Sequence, residues 1–106
     1  MSYRDVLNRV GERITVTLIA DSGTSATAII NNKSGKRIYF GSGKDDRLKS
    51  VVLSYSHSWS REETKIIYEV KTIGQGIDRV FNDNTNLYFD QFGESPFRIK
   101  VIGRKM

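Results

Sequence analysis

The feature that most constrains this chain is an alternation of apolar and polar residues, with a period of two, across residues 13–71. Its first stretch, residues 14–20, is rich in β-branched side chains, which favour strands over helices. The same alternation returns at residues 97–102. A sheet with this pattern buries one face and exposes the other. A sequence of 106 residues has room for one such domain, so we expect a single β-rich domain over residues 1–106.

Turn-forming residues divide the alternation into short segments. The interruptions are Asp21-Ser22-Gly23, then residues 31–35, where Gly35 is able to take a positive φ, and Gly41-Ser42-Gly43. Strands separated by short polar turns favour an antiparallel meander, so the predicted fold is mainly β, either an antiparallel β-sandwich or a small barrel. The predicted strands span residues 13–20, 24–31, 36–40, 50–59, 64–71 and 97–102.

The first ten residues predict a short N-terminal helix. Ser2 is a helix-capping residue, and Val6, Leu7 and Val10 share one helical face. Gly11 is suited to the end of such a helix. Because an isolated helix of this length is barely stable, we expect it to dock on the sheet.

The segment 73–93 does not follow one period. It contains glycines and a run of turn-forming residues at 82–86, yet its aromatic content is too high for a free loop. We expect a partly ordered excursion with a short helix, which buries these aromatic side chains locally or against a partner.

Basic residues are concentrated in one stretch of the sequence. The formal net charge is +5, and residues 33–49 carry six basic side chains against two aspartates. A basic surface attracts nucleic acid, an anionic membrane surface or an acidic protein, or it simply keeps a domain soluble. The candidate basic surface consists of Lys33, Lys36, Arg37, Lys44, Arg47 and Lys49.

The composition excludes several classes of protein. The chain contains no cysteine, so neither disulfides nor thiolate metal sites can form. No apolar run approaches the roughly 20 residues that cross a bilayer, and the start lacks the apolar stretch of a secretory signal. We therefore expect a soluble protein that is made without export, acts in the cytoplasm and has no membrane partner.

Motifs for catalysis, metal binding and cofactor binding are all incomplete. The segment 41–44 resembles part of a phosphate-binding loop, but Ile38 and Asp45 stand where that pattern needs glycine and a hydroxyl residue. Residues 83–94 have the length of a calcium loop and lack the ligand and glycine at its fifth and sixth positions. The single histidine, His57, has its neighbouring serines on the opposite face of the predicted strand. We expect no enzyme, no cofactor and no metal.

The aromatic residues supply the candidate contact surface. In the predicted strand 50–59, aromatic side chains alternate with serines, so they share one face. Three interpretations remain open: this face lies in the core, it forms a platform on which nucleic-acid bases stack, or it contacts neighbouring subunits. The candidate interface or aromatic platform consists of Tyr55, Trp59, Phe81, Tyr88, Phe89 and Phe92.

Two phrases of the sequence resemble parts of small phage tail and baseplate proteins. One is residues 51–59, Val-Val-Leu-Ser-Tyr-Ser-His-Ser-Trp, leading into residues 65–70, and the other is residues 96–103, a terminal strand ending in glycine. Between them, residues 72–76, Thr-Ile-Gly-Gln-Gly, are similar to a glycine-bearing loop of such proteins. The resemblance covers the second half of the chain. It implies a β-sandwich or barrel protomer in a ring or collar, assembled in the host cytoplasm and then carried in the virion.

These observations lead to one main hypothesis and two alternatives. The main hypothesis is a non-enzymatic structural subunit of a phage tail or baseplate-like particle, which contacts other protein subunits in a homo-oligomer or hetero-assembly. The first alternative is a small basic β-barrel that binds single-stranded nucleic acid. The second is an inhibitor of a host protein, for which the sequence has no discriminating feature.

Overall fold

The computed structural model describes residues 2–43, 46–56, 63–70, 75–91 and 99–104. These residues form eight strands and one helix, in two four-stranded sheets, so the prediction of a mainly β fold is confirmed. The helix, α1, spans Gln75–Asn82. The strands are β1 (Ser2–Arg9), β2 (Ile14–Ala20), β3 (Ser25–Ile30), β4 (Gly35–Phe40), β5 (Leu48–Ser56), β6 (Glu63–Glu69), β7 (Asn86–Gln91) and β8 (Ile99–Arg104).

The strands do not follow a simple meander. Sheet A has the strand order β4-β1-β7-β8, and sheet B has the order β3-β2-β5-β6. The described pairings are antiparallel except that of β1 with β7, which is parallel. The chain passes between the sheets after β1, β3, β4 and β6. This repeated crossing produces a β-sandwich-like arrangement, with a core between two inner faces.

The predicted N-terminal helix is wrong, because Ser2–Arg9 is strand β1 in the interior of sheet A. Its backbone pairs with β4 on one side and with β7 on the other. Arg4 and Asn8 occupy buried positions on either side of the buried Val6. Because two of the inward-facing residues are polar, the period of two does not appear in the hydrophobicity of this segment.

The other predicted strands are present over the described residues, and β5 pairs with β6 as predicted. Residues 57–59, 71 and 97–98 of the predicted strands lie outside the described residues. The segment 73–93 contains the expected short helix, α1, and also β7, which the sequence did not predict. In the turn before β4, the residue with positive φ is Lys33, at 64°, whereas Gly35 already belongs to the strand. A tight turn therefore connects β3 in one sheet to β4 in the other.

The core fills the space between the two sheets. On α1, Phe81 is fully buried, and its ring lies 5.5 Å from that of Tyr68 on β6. The Tyr68 ring lies 6.3 Å from that of Phe89 on β7, so aromatic contacts join the helix to both sheets. The buried apolar residues form one cluster: Val6, Val10, Ile14, Val16, Leu18, Ala20, Ile30, Ile38, Phe40, Leu48, Val51, Leu53, Tyr55, Val70, Phe81, Leu87 and Phe89.

The end of α1 packs closely against β8 because Gly103 has no side chain. A Cβ at this position would lie 2.7 Å from the carbonyl oxygen of Val80, which is too close for two non-bonded atoms. The amide of Asn84 donates to the carbonyl oxygens of Arg79 and Val80 at 3.2 and 3.1 Å. The Val80 carbonyl lies in the last turn of the helix, where carbonyls lack intrahelical partners. The Arg79 carbonyl also accepts the N–H of Asp83 at 2.9 Å.

Candidate protein-binding faces

The structure divides the predicted aromatic residues between the core and the surface. Tyr55, Phe81 and Phe89 are buried in the core, and this burial removes them from any exposed platform or interface of the described fold. Tyr88 is half-buried on the outer face of sheet A. Outside the described residues lie Trp59 and Phe92.

The outer face of sheet A carries aromatic and charged side chains together. Strand β1 alternates, so its outward residues pair across the sheet with outward residues of β4 and β7. Tyr3 lies opposite Tyr39, for example, and Leu7 lies opposite Tyr88. We call this surface the tyrosine–arginine face; it consists of Tyr3, Asp5, Leu7, Arg9, Arg37, Tyr39, Tyr88 and Asp90.

Arg37 is fixed in position on this face by Asp5 and Tyr3. Its Nε donates to Asp5 Oδ1 at 2.8 Å, and its Nη2 donates to Asp5 Oδ2 at 3.1 Å. Its guanidinium carbon lies 4.3 Å from the centroid of the Tyr3 ring, within the range of a cation–π contact. The hydrogen bond with Asp5 is the main cause that raises the pKa of Arg37. The side chain is thus charged and oriented, although 46% of it is exposed.

A second arginine–tyrosine contact and a groove complete the face. The guanidinium carbon of Arg9 lies 5.4 Å from the centroid of the Tyr88 ring. Between the two stacked pairs lies an open groove of about 370 Å³, with Leu7 and Gly35 in its lining. Because Gly35 has no side chain, the edge of β4 leaves part of Leu7 uncovered. The arrangement suits an apolar side chain that is flanked by polar groups.

The outer face of sheet B has a different composition. The outward residues Thr15, Thr17 and Ile19 of β2 each lie in a row of paired residues that crosses the four strands. Among the described residues, the only charged side chains in these three rows belong to the edge strand β6. Ile29 and Ile67 are 58% and 51% exposed. We call this surface the threonine–isoleucine face; it consists of Thr15, Thr17, Ile19, Thr27, Ile29, Val52, Ser54 and Ile67, with Lys65 and Glu69 at the edge.

The predicted basic residues do not form one continuous patch. Lys36 and Arg37 are successive residues of β4, so they point to opposite sides of sheet A. Lys33 lies in the turn before β4, whereas Lys49 follows the loop at the other end of that strand, which is about 17 Å long. Lys44 lies outside the described residues. A phosphate backbone would therefore not meet these charges along one surface.

The loop after β4, which resembles part of a phosphate-binding loop in sequence, binds a carboxylate of its own chain. Asp46 Oδ2 accepts hydrogen bonds from Ser22 Oγ at 2.6 Å and from the backbone N–H of Ser42 at 3.1 Å. Gly41, with φ of 82°, lies so close that a Cβ there would be 2.6 Å from the Asp46 Cβ. The hydrogen bond from Ser22 is the main cause that lowers the pKa of Asp46. These donors are already used, so they do not offer an anion site.

Asp46→Asn is expected to lower the melting temperature slightly at neutral pH, because an amide accepts these hydrogen bonds more weakly than a carboxylate. The folded pKa of Asp46 lies below its unfolded value, so its contribution is complete above about pH 4 and is lost as the pH falls through the folded pKa. The difference in melting temperature between variant and parent should therefore shrink under acid conditions. Asp83→Asn, at an exposed position after α1, controls for the change in net charge; a difference independent of pH would contradict this assignment.

No group of three or more histidine, aspartate or glutamate side chains in the described ranges could hold a metal ion. The helix that the structure describes is neither long nor apolar enough to cross a membrane. Comparison of the chain with known protein families, with curated proteins and with solved structures gives no significant match.

The sequence did not reveal either outer face as a candidate site. Tyr3, Asp5 and Tyr39 were not among the predicted site residues, because the segment containing the first two was expected to be helical. The sequence nevertheless contained one indication of the threonine–isoleucine face. The threonines of residues 14–20 occupy outward positions, where charged residues are common.

Proposed function

We propose that this protein is a non-enzymatic assembly protein that acts through protein–protein contacts, with the tyrosine–arginine face as a partner-binding surface. The observation that carries the proposal is the cluster in which Arg37 is held by Asp5 and Tyr3 beside Tyr39, itself 53% exposed. Tyrosine and arginine are enriched among the residues that dominate binding energy at protein interfaces. Because Arg37 is already oriented, it loses little conformational freedom when a partner binds.

The proposed setting is a phage tail or a baseplate-like particle, in which the domain contacts copies of itself or other subunits. The resemblance of residues 51–59 and 96–103 to such proteins supports this setting, as does a sandwich-like fold. Assembly would take place in the host cytoplasm before the domain becomes part of the virion. The groove beside Leu7 would receive an apolar side chain of the partner.

The second candidate function is binding of single-stranded nucleic acid. It is favoured by three tyrosines, Tyr3, Tyr39 and Tyr88, on one outer face, since bases stack on such side chains. Two features of the same face weigh against it. Asp5 already neutralises Arg37, and Asp90 adds a second negative charge where a phosphate backbone would lie.

Tyr39→Ser and Arg37→Ser are expected to remove the protein from its assembly. Loss of one dominant interface residue weakens binding by roughly 30-fold or more. The measurement is the fraction of tagged protein that sediments in a complex larger than the monomer, in extracts of cells that produce it. Lys49→Ser, at an exposed position of β5 in the other sheet, is the matched control and should leave this fraction unchanged.

Two outcomes would contradict the proposal. A parent protein that sediments only as a monomer, and enters no complex, would remove the assembly role. Retention on immobilised single-stranded DNA at low salt, lost in Tyr39→Ser and weakened steeply by added salt, would favour the nucleic-acid function instead.

A further inference from the structure

We propose that the free edge of β4 receives an extended acidic segment of a partner protein, which adds to sheet A as a further strand. Strand β4 is the terminal strand of sheet A, and β3, which precedes it in the chain, is the terminal strand of sheet B. The two edges line a common groove of about 660 Å³, which we call the β3–β4 groove. This inference rests on the proposed function, because it names the kind of segment with which a partner reaches the tyrosine–arginine face.

The free edge of β4 offers backbone hydrogen bonds to an added strand. Successive residues of a strand direct their N–H and C=O groups to opposite sides. The N–H of Asp5 donates to the carbonyl oxygen of the residue before β7 at 2.7 Å, so the backbone groups of its neighbour Arg4 point towards β4. Arg4 is paired with Ile38. The backbone groups of Arg37 and Tyr39 therefore face away from β1, towards the free edge.

The β3–β4 groove has room for the side chains of an added strand, because β3 presents alanines to it. Ala26 and Ala28 are half-buried on the inner side of β3 and pack against the core. On β4, Lys36 and Ile38 line the same groove. Every second side chain of an added strand would enter this space, and the others would lie beside Tyr39 on the outer face.

The charge of Lys36 determines the chemistry of the added segment. Lys36 lies on the same side of β4 as the buried Ile38, yet it is exposed. Its ammonium group has no hydrogen bond or ion pair with any residue that the structure describes, whereas Arg37 is already paired with Asp5. A carboxylate on the added strand, two residues from an apolar side chain beside Ile38, would match this pattern. The segment is thus extended, with acidic and apolar side chains on one side.

Pairing with the same edge of a second copy does not supply this chemistry. Neither β3 nor β4 contains an acidic residue. Two β4 edges side by side would bring a second Lys36 into the groove instead of a carboxylate. An inward lysine on an edge strand discourages such self-pairing. The β3–β4 groove therefore favours a different protein as the partner.

A labelled heptapeptide tests the site by fluorescence anisotropy with the purified chain. Its ends are blocked, and its sequence is Thr-Val-Thr-Glu-Thr-Val-Thr, which places the glutamate and both valines on one side of a strand. We expect a Kd on the order of 100 μM. Lys36→Glu should weaken binding by roughly tenfold, and a peptide with lysine in place of glutamate should restore it. Lys49→Glu, with the same change in charge at an exposed position of β5, should bind as the parent does.

Backbone methylation of the peptide separates strand addition from a charge contact alone. We expect antiparallel pairing with β4, which is slightly more stable than parallel pairing. The threonine N–H groups then point at the backbone of Arg37 and Tyr39, and the valine N–H groups point away from it. N-methylation of the two central threonines should abolish binding, whereas N-methylation of the two valines should leave it nearly unchanged. Melting temperatures of the protein variants establish that each one folds.

The outcomes for the strand site and for the assembly function are distinct. A parent that does not bind the peptide, or that binds both methylated peptides equally, would overturn the strand site. If that parent still enters a larger complex through Tyr39, the assembly function stands. A parent that binds the peptide as expected but stays monomeric in extracts would sustain the strand site and contradict the assembly function. Self-association of the parent that the peptide competes away would overturn the choice of a different protein as the occupant.

Discussion

Asn8→Asp is expected to reduce the free energy of unfolding by about 3–5 kcal/mol at neutral pH, the largest effect of any single substitution considered. The Asn8 side chain is fully buried. Its Nδ2 donates to the carbonyl oxygens of Glu12 and Ile30 at 2.6 and 3.0 Å, and its Oδ1 accepts from the Val10 N–H at 2.9 Å. The partners in these three hydrogen bonds are all backbone groups.

The reason for the large effect is the replacement of a donor by an acceptor. A carboxylate at this position would turn negative oxygens towards two carbonyl oxygens, and neither carbonyl would keep its side-chain partner. Acidification should restore part of the stability, because a protonated carboxyl can donate one hydrogen bond. Chemical denaturation at neutral and acid pH measures both effects.

Asn31→Asp is the matched control for this substitution. Asn31 is exposed, in the turn that follows β3, where aspartate is well tolerated. Its change in the free energy of unfolding should stay within about 0.5 kcal/mol. If Asn8→Asp were equally mild, the amide would not hold the end of β1 to β3, and the account of β1 as an inner strand would fail.

Arg4→Met is expected to reduce the free energy of unfolding by about 2–3 kcal/mol. Arg4 is only 7% exposed, and burial is the main cause that lowers its pKa. Its Nε donates to the carbonyl oxygen of Phe81 at 2.8 Å, and its Nη1 donates to that of Tyr3 at 2.7 Å. Its guanidinium carbon lies 4.9 Å from the centroid of the Phe40 ring.

Arg4 connects β1 to the end of α1. The carbonyl of Phe81 belongs to the last turn of the helix, where a positive charge is favourable. Nη2 also lies 3.4 Å from Asn82 Oδ1, which accepts the N–H of Leu48 at 2.8 Å. Methionine fills much of the space but leaves the Phe81 carbonyl without this donor. Loss of the buried charge offsets part of the cost, which keeps the expected effect below that of Asn8→Asp.

Arg9→Met on the same strand is the control for this second prediction. Arg9 lies on the outer face, where it stacks on Tyr88, and an exposed cation–π contact contributes about 0.5–1 kcal/mol. Equilibrium denaturation should therefore separate the two arginines clearly. Equal effects would mean that Arg4 contributes packing alone and does not anchor α1.

The two outer faces of the sandwich differ in composition. The threonine–isoleucine face carries charged side chains only at its edge strand β6, among the described residues. The tyrosine–arginine face carries an oriented cation, aromatic rings and a groove, which suits a different protein surface. A groove lined by Thr27 and Ile29 of one face and by Arg37 and Tyr39 of the other joins the two faces along the edges of β3 and β4.

The sequence by itself determined most of the local elements of this protein, apart from β1 and β7. Alternation across residues 13–71 predicted β2 to β6, because the side-chain period of a strand is written in neighbouring residues and does not depend on the rest of the chain. The turn residues at 21–23 likewise predicted the hairpin between β2 and β3. A short helix in the segment 73–93 was also expected, because the apolar content of that segment is too high for a free loop.

Only the tertiary structure decided the secondary structure of Ser2–Arg9, the position of β7 and which residues form the outer faces of the two sheets. Strand β1 pairs with β7 from the far end of the chain, and its polar residues Arg4 and Asn8 are satisfied by backbone groups of α1 and β3. Such long-range pairing and buried hydrogen bonding leave no periodic pattern in the local sequence. They nevertheless outweigh the helical spacing of the apolar residues in this segment. For the same reason, Tyr3 and Arg37 became neighbours only when β1 and β4 were paired.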